Sequence, residues 1–296
     1  MFNRLIALLG GVILIFSFSR ALIRALPGDP LETLIAESGT TLSIETLRAD
    51  LGLDRPYFPA LVQDLSLAFH GNLGRSLYNR QPIGPLLVTR LGRTAALVLT
   101  SLFLGIAISL VLGVFSAGLP GSWVDRFCSI YGSVTIAMPT PWLGPLLMLA
   151  LSVWIPLFPI GGHLALPTLT LALVFSGFWA RLIRERVRET LQTGSADAAR
   201  ARGVSEYKVL FKYGLGPAAG ALLAYFGTQL GSLMAGAFVT ETLFDWPGMG
   251  ALLVDAVLRR DYPVVEAATF AAATLSLIFN QLGDLAQRYW DPRLRH

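Results

Sequence analysis

Residues 95–119 read AALVLTSLFLGIAISLVLGVFSAGL, 25 positions without one charged side chain. A helix gains about 1.5 Å per residue, so about 20 apolar residues cross the roughly 30 Å hydrocarbon layer of a bilayer. This run is long enough to span it. Five further stretches share its character, near 5–26, 127–154, 164–185, 214–238 and 265–286. The expected fold is therefore an all-α integral membrane protein with six transmembrane helices. Composition agrees: 54% of the 296 residues are hydrophobic and 14% charged, with a mean hydropathy of +0.60. An ordinary soluble domain is about 25% charged, so this chain lacks the polar residues to cover a watery surface. The third stretch carries Pro139 and Pro141 and predicts a kink, tolerable where neighbouring helices re-satisfy the freed carbonyls.

The first stretch is compressed. Its uncharged part, Leu5 to Ser19, follows Arg4 and precedes Arg20 and Arg24, which share a helix face and can snorkel to the interface. No Ala-x-Ala cleavage site follows, so a retained span is expected rather than a signal peptide. With six spans and the amino terminus inside, the inner loops hold 13 of the 23 basic residues and 7 of the 19 acidic ones. The inner side is thus the positive one, as membrane orientation requires. Both termini are expected in the cytoplasm, the tail being residues 291–296. The net charge of +4 reflects these loops, and no nucleic-acid partner is expected.

Outside, residues 27–93 form a small helical annex after the first span. Leu26-Pro-Gly-Asp-Pro30 ends that span. Ser43 can cap a short helix ending at Gly52, a second amphipathic helix runs from about Tyr57 to Phe69, and Gly71-Asn-Leu-Gly74 breaks it. Pro82 can start the helix leading into the second span. The five-helix transmembrane core is residues 94–290.

Inside, the longest loop is 186–213. Ser195 can cap a helix with Asp197 in its first turn and Arg200 and Arg202 in its last, charges that suit the helix dipole. Gly203 fits the left-handed position that stops such a helix. Ser205 can cap a second helix with Tyr207, Leu210 and Phe211 on one face and Lys208 and Lys212 on another. A basic loop resting on anionic lipid is one reading. A folded, half-apolar element that docks on a partner is the other.

At this loop the chain resembles the permease subunits of ABC importers. Asp197-Ala-Ala-Arg-Ala-Arg-Gly203 looks like their Glu-Ala-Ala-x-x-x-Gly signature with Asp for Glu. More closely, the chain resembles the first (B-type) permease of the dipeptide, oligopeptide and nickel group. Matching segments are Leu26-Pro-Gly-Asp-Pro30, Leu51-Gly-Leu-Asp-Arg-Pro56, Gly71-Asn-Leu-Gly-Arg-Ser76, Ala199-Arg-Ala-Arg-Gly203, Thr240-Glu-Thr-Leu-Phe-Asp-Trp-Pro-Gly-Met-Gly250, Arg259-Arg-Asp-Tyr-Pro-Val-Val265 and Asp291-Pro-Arg-Leu-Arg295. The resemblance implies a second homologous permease, two ABC ATPase subunits and an extracytoplasmic binding protein as partners, in a bacterial inner membrane. It implies di- or oligopeptides as substrate, with nickel or another small solute as the alternative. It makes Asp197, Ala198, Ala199, Arg200, Gly203, Tyr207, Leu210 and Phe211 the element that couples to the ATPases. The chain departs from the pattern in having Gly220-Ala221 where a Leu-Pro pair is usual, and a short connection, Phe158-Pro-Ile-Gly-Gly-His163.

The second outer segment, Glu241 to Asp261, is the candidate outer gate or binding-protein contact. Asp245-Trp246-Pro247-Gly248 predicts a rigid turn, and Arg259, Arg260 and Asp261 are expected to offer exposed charge; a loop that merely closes the bundle is the alternative. No catalytic residue is expected. The only lysines, Lys208 and Lys212, follow Tyr and Phe, so no phosphate-cradling Gly-x-x-x-x-Gly-Lys-Ser/Thr loop exists. Cys128 stands alone, and His70, His163 and His296 lie far apart, so no metal site is expected. The chain is not expected to be an enzyme, and ATP and Mg would bind only to partner ATPases. A stand-alone channel or carrier would need buried relay groups, which the span interiors lack.

Overall fold

The computed structural model describes residues 56–159 and 161–290, with residues 10, 11, 13, 14, 17, 18 and 21. Most of the first expected span, the annex up to residue 55 and the Asp291–Arg295 segment lie outside the described residues. The described chain is almost entirely helical: α1 (Tyr57–Phe69), α2 (Ile83–Gly118), α3 (Trp123–Ala137), α4 (Thr140–Met148), α5 (Ala165–Leu191) and α6 (Gly194–Ala201) come first. They are followed by α7 (Glu206–Leu243), α8 (Met249–Leu258) and α9 (Tyr262–Trp290). Four are long and apolar enough to cross a membrane: α2, α5, α7 and the Tyr262–Phe279 part of α9.

The third expected span is broken rather than kinked. α3 and the stretch Thr140–Trp154, which is α4 followed by the wide π turns of Leu149–Trp154, meet at 108°. Met138 ends α3 in extended backbone, and Pro139 and Pro141 cannot donate the hydrogen bonds that would carry the helix through. The pair is one broken span or a re-entrant loop.

The chain forms two compact units. One holds α1, α2 up to Arg93, α8 and α9 up to Ile278; the other holds α2 from Thr94, α3 to α7 and the end of α9. In the second unit α5 is the central helix. Its Trp179 is fully buried, edge-on to Phe226 of α7 at 5.2 Å. A Cβ on Gly105 of α2 would stand 2.8 Å from the same indole ring, so glycine lets α2 close on it. Small residues allow such backbone approach where lipid gives no hydrophobic drive for helix association.

The closest crossing is α3 on α5. A Cβ at Gly177 would lie 1.9 Å from Thr135 Oγ1, and one at Gly132 would lie 2.9 Å from the Gly177 carbonyl. Gly177→Val must therefore push α3 off α5. Overpacking of this kind costs about 1–3 kcal/mol. The expected result is a clearly lower thermal midpoint in detergent, part of which returns in Gly177→Ala combined with Thr135→Ala. An unchanged midpoint for Gly177→Val would refute the crossing.

Candidate coupling site and the outer loop

The coupling-loop site begins with how α6 starts and stops. Thr193, not Ser195, is its N-cap residue. The Thr193 hydroxyl donates to the Thr190 carbonyl (2.7 Å) and meets the Ser195 hydroxyl at 2.8 Å, so the expected Ser195 cap is absent. The stop is as expected. Gly203 has φ +77°; its N–H donates to Arg200 O (2.9 Å) and the Val204 N–H to Ala199 O (3.2 Å). That pair of bonds is the Schellman arrangement, which needs a left-handed residue at this position. Val204 then packs on buried Ala196, Ala199 and Val209. Arg200 bridges the corner, 3.0 Å from Asp197 and 3.1 Å from Glu206, an exposed pair of contacts worth little energy.

Beyond the corner, Ser205 stands at the N-cap of α7 without a side-chain cap bond. α7 makes one α turn, then the π turns of Val209–Leu215, then regular helix from Gly216. In the wide turns each hydrogen bond reaches five residues instead of four, so side chains three or four apart drift off a common face. Leu210, expected on an outward face with Tyr207 and Phe211, instead turns inward. It is 9% exposed and fills the space over Gly118, where a Cβ would stand 2.8 Å from it. Phe211 is half-buried between Phe115 (ring centroids 6.4 Å) and Tyr207 (4.6 Å). Tyr207 alone of the three is well exposed, at 66%. Ala199 is buried, whereas Asp197, Ala198, Arg200 and Gly203 face outward. The outward surface is thus Asp197, Ala198, Arg200, Gly203 and Tyr207, backed by Ala199, Leu210 and Phe211. Beside it a cavity of about 790 Å³ opens between Phe115, Leu119, Arg188, Leu191 and Tyr207.

The outer candidates divide between the two units, Glu241 and Trp246 belonging to the bundle and Pro247, Gly248 and Arg259 to Asp261 to the other. Within the bundle, Glu241 on the last turn of α7 is fully buried and accepts a hydrogen bond from Thr94 Oγ1 at 2.5 Å. Asp245 is left-handed (φ +52°), and the Trp246 N–H caps α7 by donating to Glu241 O at 2.8 Å. The chain does turn there, and Trp246 and Glu241 point into protein. In the other unit Pro247 is half-buried and Gly248 buried.

Asp261 corrects the expectation of exposed charge at that end. It is 5% exposed; its carboxylate accepts bonds from the Ser76 hydroxyl and the Leu77 N–H (3.0 Å). Arg260 takes a left-handed φ of +54°, which lets Asp261 N–H cap α8 at Ala256 O (2.8 Å) and aims the carboxylate at the Ser76 loop. Arg259 is exposed, pairs with Asp255 at 2.8 Å and lies over the Tyr78 ring at 4.5 Å. The two motifs, Gly71 to Ser76 and Arg259 to Val265, are halves of one joint. Sequence could not pair them because 185 positions separate Ser76 from Asp261.

Residues 109–296 match the family profile described as a binding-protein-dependent transport system inner membrane component. An oligopeptide transport system permease protein, AppB of Bacillus subtilis, is 32% identical over 98% of this chain and 95% of its own length. The glutathione transport system permease protein GsiC of Escherichia coli is 32% identical over 96% and 93% respectively. Among solved structures, the inward-facing MetNI methionine ABC transporter superposes with a TM-score of 0.60 at 22% identity, covering 70% of this chain and 96% of that one. That likeness speaks for the fold alone; the sequence matches carry the assignment. The chain belongs to the inner membrane components of binding-protein-dependent transport systems, as an ABC permease.

Proposed function

We propose that this permease forms the membrane pathway of an ATP-driven importer of di- or oligopeptides, opening alternately to each side as partner ATPases close and open on its inner loop. One observation carries the mechanism: α7 runs without interruption from Glu206 to Leu243, 38 residues. At helical rise that is roughly 55 Å, about 25 Å more than the hydrocarbon layer. One end stands at the Gly203 corner and the other carries Glu241. A push on the corner is therefore delivered along one rod to the opposite end of the bundle.

The docking surface is Asp197, Ala198, Gly203 and Tyr207, with Arg200 holding the corner. ATP and Mg belong to two ATPase subunits; a second, homologous permease completes the pathway, and an extracytoplasmic binding protein delivers the substrate. Both termini lie in the cytoplasm, which puts the basic loops inside. Arg259 and Arg260 are the outer residues whose exposure suits contact with the binding protein, with half-buried Pro247 earlier in the same segment. The peptide substrate follows the names of the relatives.

Purification from native membranes tests this directly. A second permease and ATPase subunits should co-elute with ATPase activity, and Tyr207→Glu should release the ATPases while the permease pair stays together. A chain that elutes alone and passes solute into liposomes without ATP would overturn the reading.

A further inference from the structure

Asp125 lies outside the coupling loop and outside every motif of the sequence. It sits in the first turn of α3, where its N–H donates to the Ser122 hydroxyl at 3.3 Å, and it is 7% exposed. Its two carboxylate oxygens each meet one hydrogen-bond donor and one arginine. Oδ1 accepts from the Ser116 hydroxyl at 2.9 Å and forms an ion pair with Arg184, whose Nε is 2.6 Å away; Oδ2 accepts from the Gly121 N–H at 2.9 Å and forms an ion pair with Arg188, whose Nη2 is 2.8 Å away. Arg188 also donates to the Ser116 carbonyl at 3.1 Å. One carboxylate thereby joins the end of α2, the turn after it, and two successive turns of α5.

The same end of α2 is the seat of the coupling loop. Gly118 receives Leu210 and Phe115 faces Phe211, while Arg188 lines the cavity shared with Asp197, Glu206 and Tyr207. The ion cluster is thus directly behind the surface proposed for the ATPases. A buried ion pair adds little net stability over a well-packed apolar substitute, and its best-attested use is to fix register. Two arginines one turn apart on α5, each holding its own oxygen, suit that use: α5 cannot slide along α3 without surrendering one of them.

We infer that Asp125 is a positioning residue for energy coupling, a clamp that fixes the inner end of α2 to α5 so that displacement of the coupling loop moves the transmembrane helices as one body. This rests on the importer reading above. With the clamp released, the ATPases still bind and turn over, but their cycle no longer answers to the outer face.

The test uses the complex purified from native membranes and reconstituted in liposomes, with its binding protein and a labelled pool of di- and tripeptides. The primary readout is the ratio of binding-protein-stimulated to basal ATPase activity. Asp125→Asn keeps the shape and removes the charge; it should leave the basal rate within about twofold and cut the ratio by about fivefold or more, within the usual span of a coupling energy. Asp125→Glu should recover part of it. Arg188→Gln leaves Arg184 on the carboxylate and should give an intermediate ratio, which carries the test should the Asp125 variants fail to assemble. An unchanged ratio in Asp125→Asn, or in Arg188→Gln where only that complex forms, overturns the clamp. Basal and stimulated rates falling together overturn it equally, since a merely structural anchor does that. A wild-type complex that is stimulated yet imports no peptide rejects the peptide substrate and leaves the clamp test intact.

Discussion

Gly203→Val should reduce ATP-driven uptake at least tenfold while the permease pair still assembles. The reason lies in the backbone. Gly203 has φ +77°, and a Cβ built there meets nothing within 4 Å. Any loss therefore comes from the left-handed conformation and not from a clash. That conformation costs an ordinary L-residue about 1–2 kcal/mol, and a β-branched one is a genuine outlier in it. The two Schellman bonds, to Arg200 O and Ala199 O, hold the corner between α6 and α7, and they persist only while residue 203 stays left-handed. A strain of about 1.4 kcal/mol shifts a local equilibrium tenfold, so the corner opens and the docking surface loses its shape. A series separates this from any effect of side-chain size. Asn tolerates the left-handed region and should sit near wild type, Ala between, Val lowest. Uptake that is equal in Gly203→Val and wild type, measured in the same liposomes, would remove the corner from the mechanism.

What the sequence revealed about this site was the part made of neighbours. Gly203 is readable because a helix stop is a local event: a basic last turn, a glycine, then a Ser that begins again. The apolar run at residues 95–119 is readable for the same reason, length against bilayer thickness. An α-helical period puts Leu210 on the face of Tyr207, whereas the π turns of Val209–Leu215 bury it, and nothing in that stretch of sequence announces them. The break at Met138–Pro139 was legible as a bend, but its 108° is set by packing. Gly144 is part of that packing: a Cβ there would stand 2.2 Å from Leu243 Cδ2. Asp125, Glu241 and Asp261 were opaque in another way. Each is a carboxylate whose meaning is its partners, and at least one partner of each comes from a segment far away in the chain. By composition alone an acid near a span end looks exposed.

Glu241→Ala should be the most destabilising single change on the outer end of the bundle. The side chain is fully buried, and a buried carboxylate persists only where it is hydrogen-bonded. Thr94 Oγ1 is one of its donors. Truncation removes that bond and opens a void beside it; hydrogen bonds to charged groups contribute about 1.5–3 kcal/mol, and the void adds to that. For a chain of this size each kcal/mol lowers a thermal midpoint by about 2–4 °C, so a drop of about 5–10 °C in detergent is expected. Glu241→Gln keeps an acceptor for Thr94 and should lose less than half as much. The functional consequence follows from where the residue sits. Its own carbonyl receives the Trp246 N–H that caps α7, so the anchor of the outer turn is the last turn of the same helix that begins at the coupling corner. Loosening it lets the far end of the rod move without moving the turn. Glu241→Ala should then lower uptake more than it lowers basal ATPase activity when both are read below the new midpoint. Equal midpoints for Ala and wild type would show that the burial and the Thr94 bond contribute nothing, and the outer end of α7 would have to be held by other contacts.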